Sequence, residues 1–148
     1  MNIFKIEKYF DNEPTLEKLL TELNVIFTRI DYYSNLFRNG ILENQKETVK
    51  ALSELTGIYM YLKPIFLVSV TIKENNELRY YIDKKEQISK ESEKKFVSAA
   101  TEREASLSVS NYRRVRNIIE AYLDSTVQGI QSCQSLLKSI TKELSLPQ

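Results

Sequence analysis

The stretch that decides the fold is PTLEKLLTELNVIFTRIDYYSNLFR, residues 14–38. Its apolar residues recur at alternating intervals of three and four, which only an α-helix brings onto one side, and a 3.5-residue period is typical of coiled coils. The residues on this seam are Leu16, Leu19, Leu23, Ile26, Ile30, Tyr33 and Phe37. Pro14 suits the first turn of a helix, and Asn39-Gly40 suits its end. The sequence therefore predicts a helix over residues 14–38.

The same spacing returns near the end of the chain and predicts a second seam over residues 111–144. Its members are Tyr112, Val115, Ile119, Tyr122, Thr126, Gly129, Cys133, Leu136 and Ile140. The two helices would be about 37 and 51 Å long at 1.5 Å per residue, which is long for a globule of 148 residues. We therefore expect the seams to need other copies of the chain, with the C-terminal helix as the oligomerising element. The alternative is an antiparallel bundle within one chain.

The middle of the chain is less regular. A helix is predicted over 43–63, with Val49, Leu52, Leu55, Tyr59 and Leu62 on its inner face. Pro64 is expected to end or kink this helix, because its ring clashes with the preceding turn. The segment IFLVSVTIK (65–73) suits either a short strand or continued helix, and residues 74–106 suit a charged helix or a semi-ordered arm. The fold class is mainly all-α, in one domain spanning 1–148.

Composition excludes several classes of function. The chain has no histidine and a single cysteine, Cys133, so histidine-dependent catalysis and His-liganded zinc are ruled out. We expect no enzyme activity, no cofactor and no metal. The longest apolar run, PIFLVSV (64–70), is too short to cross a bilayer, and the N-terminus lacks the apolar region of a signal peptide. We therefore expect a cytoplasmic protein with no membrane partner.

Three arginines open the C-terminal helix within NYRRVRNIIEAY (111–122): Arg113, Arg114 and Arg116. A helical projection places them opposite the apolar seam, where they face solvent or a partner. Cations in a first turn oppose the helix dipole. One explanation is a bound anion that contacts both the guanidinium groups and the helix N-terminus. The other is a solvated face with an Arg116–Glu120 ion pair.

The second group of candidate site residues lies in IKENNELRYYIDKK (72–85). Four cations surround two adjacent tyrosines, in the set Lys73, Arg79, Tyr80, Tyr81, Lys84 and Lys85. Cations that bind phosphates and aromatic rings that stack on bases are what single-stranded nucleic acid requires. Glu74, Glu77 and Asp83 dilute this charge, and the alternative is that the tyrosine rings only cover the core.

The segment LRYYIDKK (78–85), followed by SEKKFVSAATER (92–103) and a C-terminal amphipathic helix, resembles the phage recombination mediators of the UvsY type. The resemblance implies a ring-like homo-oligomer that binds single-stranded DNA. It also implies a role in loading a strand-exchange recombinase onto DNA covered by a single-strand-binding protein.

In this resemblance Arg79, Tyr80 and Tyr81 fall on the basic-aromatic motif of the family. The chain lacks the glycines that can follow the tyrosine pair, and its three clustered arginines have no counterpart in the family. The alternative function is a non-enzymatic structural or protein-interaction module, such as a virion component or an assembly adaptor.

Overall fold

The chain folds into α-helices, and the mainly all-α prediction is confirmed. The computed structural model describes residues 3–40, 44–90 and 96–144, and no strand occurs in these ranges. In chain order the helices are α1 (Ile3–Glu7), α2 (Glu13–Arg38), α3 (Gln45–Lys90), α4 (Ser98–Ser108) and α5 (Ser110–Leu144), with a short 3₁₀ turn at Lys8–Phe10 after α1.

The first predicted seam lies on α2, whose ends are set by local chemistry. The Asn12 side chain accepts a hydrogen bond from the Thr15 N–H at 3.1 Å, and the Thr15 hydroxyl accepts one from the Asn12 N–H. This reciprocal cap satisfies N–H groups that a helix start leaves unpaired. At the other end Gly40 has a φ of 65°, a left-handed conformation that favours glycine, and its N–H donates to the Phe37 carbonyl.

Helices α2 and α5 run in the same direction. Near their starts Arg114 on α5 forms an ion pair with Glu17 on α2. Further along both helices the Tyr122 hydroxyl donates to Asp31 at 3.2 Å, and the Tyr122 ring stacks on Phe27 with ring centres 4.0 Å apart. Increasing residue number on one helix therefore matches increasing number on the other.

Helix α3 runs antiparallel to both. Arg113, near the start of α5, lies 3.7 Å from Glu77 in the second half of α3, whereas Gly129 meets the earlier residue Leu55. A β-carbon at position 129 would lie only 2.9 Å from Leu55 Cδ1, so glycine permits the close approach of α5 to α3 here. Helices α2, α3 and α5 together form a three-helix bundle.

The apolar seams pack against each other inside one chain. The main buried cluster takes Leu16, Leu19, Leu23, Phe27 and Ile30 from α2, Leu62 and Ile65 from α3, and Val115, Ile119 and Leu123 from α5. Our premise that the seams stay unsatisfied within a single copy is wrong, because three helices bury them mutually. Self-association remains a prediction, but it needs a different surface.

Two expectations for the middle of the chain need correction, and the open choice between strand and helix for 65–73 is resolved. The helix predicted over 43–63 continues through Pro64 to Lys90, so Pro64 does not end it and 65–73 is helix rather than strand. Burial of Leu62 and Ile65 on either side of the proline stabilises the continuous helix, and this offsets the one backbone hydrogen bond that the proline removes. Val49, expected on the inner face, is exposed; the buried residues nearby are Thr48 and Ala51.

The charged segment predicted over 74–106 becomes two packed helices, with residues 91–95 between them outside the described part. The second half of α3 packs antiparallel to α4, which buries Thr101 and Ala105. We refer to residues 73–90 and 98–108 as the two-helix arm. The C-terminal helix predicted over 111–144 is confirmed as α5, which starts one residue earlier.

Candidate interaction site

The residues predicted to bind nucleic acid in 72–85 do not share one face of α3. Lys84 lies 3.3 Å from Glu104 of α4, and Lys73 pairs with Glu77, the residue that also faces Arg113. Arg79 lies about 120° around the helix from Lys73, because six residues separate them at 100° per residue. Tyr80 is half-buried. The sequence cluster is therefore divided between the inside of the arm and its outer surface.

Tyr81 is used within the two-helix arm. Its hydroxyl lies 3.1 Å from Ser98 Oγ, and its ring meets the edge of Phe96 with ring centres 6.1 Å apart. Lys85 Nζ lies 5.9 Å from the centre of the same Phe96 ring, within the range of a cation–π contact. These contacts hold α3 to the residues before α4, so the Tyr81 ring is not an open platform for stacking a base.

Each of the three clustered arginines meets a carboxylate of its own chain. Arg113 lies near Glu77 and donates to the Ser106 carbonyl at 3.0 Å. Arg114 pairs with Glu17, as described above. Arg116 lies 3.3 Å from Glu120, which is the ion pair that the sequence suggested. Because α5 begins at Ser110, all three lie close to its N-terminus, where these carboxylates offset the unfavourable interaction with the helix dipole.

A row of exposed apolar side chains, interrupted by polar ones, lies on the outside of α3. It consists of large apolar side chains that are each between 45% and 70% exposed: Val49, Met60, Leu67, Leu78 and Ile82. Ser53, Thr56 and Thr71, also exposed, fill positions between them. The intervals are sums of threes and fours, so the residues share one face of the helix, away from α2 and α5. We refer to this face as the outer stripe.

The outer stripe was missed from the sequence because α3 is apolar on two sides. Periodicity detects that apolar residues recur but does not say which of two stripes a bundle buries. At the arm the stripe borders an open groove of about 500 Å³, lined by Leu78, Tyr81, Ile82 and Lys85 among others.

A polar cluster fastens α2 to α3 beside the core. Arg29 forms an ion pair with Glu54, and its second nitrogen reaches the other oxygen of that carboxylate at 2.8 Å. The Tyr33 hydroxyl donates to the same oxygen at 2.5 Å. The hydrogen bond from Arg29 lowers the pKa of Glu54 to about 2, against the opposing effect of burial. Burial and the adjacent Glu54 raise the pKa of Tyr33 to about 12.

Replacing Glu54 with glutamine is expected to lower the free energy of unfolding by about 1 kcal/mol at pH 7, a value reduced from the full pKa shift because the pair is partly exposed. Since the folded pKa is below the ordinary value of 4.5, the carboxylate stabilises the fold above that value and loses this effect as pH falls toward 2. Urea unfolding from pH 7 to pH 3 measures this: the difference from wild type should shrink below pH 5.

Glu17→Gln is the matched control, because the Glu17–Arg114 pair is about half exposed at both ends and contributes little. A difference between Glu54→Gln and wild type that stayed constant down to pH 3 would show that the ionised carboxylate is not what holds the cluster.

Helix α3 is also the one described helix whose length and composition would allow it to cross a membrane, with an 18-residue window of mean hydropathy 1.5. Because Pro64 does not interrupt α3, the short apolar run no longer excludes a membrane span on length. Core helices of bundles have the same composition, and Leu55 and Leu62 are buried here, but only 22% of the apolar window is buried in the fold. The outer faces of α2 and α5 carry exposed charges, such as Asp31 and Asp124, that hydrocarbon does not accommodate.

No protein-family model matches this chain, and comparisons with curated proteins and with solved structures gave no match either. The resemblance to UvsY-type mediators therefore remains a prediction from the residues quoted above. Within the described residues, no three side chains of the metal-binding types come together in a site.

Proposed function

We propose that the protein is a non-enzymatic helical interaction module that docks a partner against the outer stripe of α3. The observation that carries this proposal is that large apolar side chains remain exposed along α3 while the chain completes its core without them. Scattered apolar residues are ordinary at protein surfaces, but contiguous apolar patches mark interaction sites. A partner that covered this stripe would remove its apolar area from water.

The groups with perturbed pKa values support an interaction role rather than catalysis. Glu54 and Tyr33 are perturbed by each other, by Arg29 and by burial, and all three join α2 to α3. Burial raises the pKa of the Cys133 thiol, which keeps it protonated and unreactive inside the bundle. These shifts follow from packing between helices.

A footprinting experiment tests the proposal without assuming the identity of the partner. Leu67→Cys places a thiol on the outer stripe, and Leu107→Cys places one on the exposed side of α4. In dilute purified protein the two thiols should react with a maleimide at similar rates, because both positions are more than half exposed. In intact cells producing the protein, we expect the thiol at position 67 to react at least several-fold more slowly than the thiol at position 107.

Equal labelling of the two thiols in cells would contradict docking at the outer stripe. Unfolding in denaturant before labelling provides the reference, because both cysteines should then react completely.

Binding of single-stranded DNA, as a recombination mediator of the resembled type, is the second candidate function. It is supported by Arg79 and Lys85, which are exposed on the second half of α3 and have no carboxylate partner among the described residues. These two cations of one chain would bind phosphates only weakly, with dissociation constants of roughly 10⁻⁴ to 10⁻⁶ M for non-specific contacts. Assembly of several copies would raise the apparent affinity by avidity.

Electrophoretic mobility of labelled single-stranded DNA at several salt concentrations measures this second candidate. If it is correct, Arg79→Ala combined with Lys85→Ala should reduce the log–log salt slope of binding by about 1.4. Lys18→Ala, which removes an exposed cation from α2, is the control and should leave binding nearly unchanged. Absence of a shifted band at low salt for the wild type would end this candidate and leave the interaction module in place.

A further inference from the structure

We infer that the partner of the outer stripe is a second copy of this chain, packed antiparallel through α3 about a two-fold axis. This inference rests on the proposed docking role of the stripe and adds the identity and direction of the partner. A two-fold interface requires a surface that complements itself when reversed. The charge and shape of α3 both meet this requirement.

The charges beside the stripe favour the antiparallel direction. The first half of α3 carries three cations on this side of the helix, Lys46, Lys50 and Lys63. A parallel pair would place each lysine beside its own equivalent, and like charges at such positions are destabilising. The second half carries Glu74 and Glu86 on this side, together with Arg79 and Lys85, so it is close to neutral. In an antiparallel pair the lysines of one subunit instead lie beside the nearly neutral second half of α3 in the other subunit.

A register that overlaps the two reversed copies over nearly the whole of α3, residues 48–90, places position 60 opposite position 78. Setting Met60 opposite Leu78 of the partner subunit pairs the most exposed stripe residue with the one beside the open groove. The same register sets Thr56 opposite Ile82 of the partner subunit and brings Lys63 beside Glu74 of the partner subunit. By symmetry each contact occurs twice.

This arrangement also covers the open groove of the two-helix arm. In it the first half of α3 from one subunit lies along the outer stripe of the other subunit's arm, on the side away from α2 and α5. The groove beside Leu78 and Ile82 is then covered by an apolar face rather than by water.

The size of the stripe sets the strength of the association. From Val49 to the end of α3 the face is about 60 Å long at 1.5 Å per residue, and a helix contact about 10 Å wide covers roughly 600 Å² per subunit. Specific interfaces bury about 800 Å² per partner, so this contact is at the small end of the range. We expect a monomer–dimer equilibrium that depends on protein concentration, rather than a permanent dimer.

Oxidative cross-linking of two single-cysteine additions, Met60→Cys and Leu78→Cys, tests direction and register together in the full chain. In the inferred register the two copies of position 60 are about 27 Å apart along the axis, and so are the two copies of position 78. A disulfide needs Cα atoms within about 7 Å. Neither variant should cross-link alone, whereas an equimolar mixture should give a disulfide-linked dimer. Cys133 is fully buried, so the wild type should remain uncross-linked.

Every outcome is decisive. If each variant cross-links with itself, the copies are parallel; the antiparallel inference is then overturned, although docking at the stripe stands. If nothing cross-links and sedimentation shows only the 17.3 kDa chain at all concentrations, the second copy is excluded as partner. Protection of position 67 in cells would then mean a different partner, and co-sedimentation with phosphatidylcholine–phosphatidylglycerol vesicles would identify lipid. If position 67 is also unprotected in cells, the docking function itself fails.

Discussion

Replacing Leu62 with alanine is expected to lower the free energy of unfolding by about 2–5 kcal/mol, the range for removing a fully buried leucine. Leu62 lies at the middle of α3, has no exposed surface, and belongs to the cluster that joins α2, α3 and α5. The substitution removes apolar contacts to all of these helices and leaves a cavity that the bundle refills only in part. Urea unfolding followed by circular dichroism measures the change.

Leu107→Ala makes the same chemical change on α4 at a side chain that is 65% exposed, and it should alter stability by less than about 0.5 kcal/mol. Both measurements should be made at low protein concentration, so that self-association does not contribute. Similar losses for the two variants would mean that Leu62 is not in the core, and that the packing of the three helices differs from the one described.

Local sequence signals were sufficient to predict the two amphipathic helices of the bundle. In α2 the apolar spacing agrees with the Asn12 cap and the Gly40 stop, so several independent signals indicate the same element. In α5 the spacing alone was enough, because Val115, Ile119 and Cys133 form one buried stripe along a polar helix. Such agreement between pattern and packing is what makes these elements predictable.

Helix α3 could not be derived in the same way, for two reasons. Pro64 is a strong local signal for a helix end, but tertiary packing of Leu62 and Ile65 outweighs it. Val49 and Leu67 look like core residues in the sequence, yet the core uses the other face of the helix, which includes the small polar residues Thr48 and Ser69. Which face is buried depends on where α2 and α5 lie, and no local pattern contains that information.

The candidate site shows the same limit for charged residues. Sequence analysis identified the clustered arginines and offered the Arg116–Glu120 pair as part of one of two explanations, because these two residues are one helical turn apart. The partner of Arg114 is Glu17, which is almost the whole chain away in sequence and adjacent only after folding. Whether a cation is free to bind a phosphate therefore depends on tertiary contacts. Arg79 and Lys85 were among the cations predicted from the sequence, but only the structure separates them from Lys73 and Lys84, which pair with carboxylates.

Replacing Pro64 with alanine is expected to raise the free energy of unfolding by about 1–2.5 kcal/mol, which is opposite in sign to the effect of Leu62→Ala two residues away. Pro64 lies inside α3, and because proline has no N–H it cannot donate to the carbonyl of Met60. Its side chain is exposed, so no buried contact compensates for this loss. Alanine restores the hydrogen bond and is favoured over proline by up to about 3 kcal/mol in a helix interior. Greater freedom of the unfolded chain offsets about 0.4–1 kcal/mol of the gain.

Pro14→Ala is the matched control, because Pro14 occupies the first turn of α2, where no intrahelical partner for its N–H exists. The control should change stability by less than about 1 kcal/mol in the same urea titration. If Pro64→Ala left stability unchanged or lowered it, the proline would have to be stabilising α3 through a bend that the continuous helix does not require. Stability could rise as expected while adding Pro64→Ala to the Met60→Cys and Leu78→Cys variants abolishes their cross-link. That result would mean that Pro64 shapes the outer stripe for its partner and is not needed for the fold.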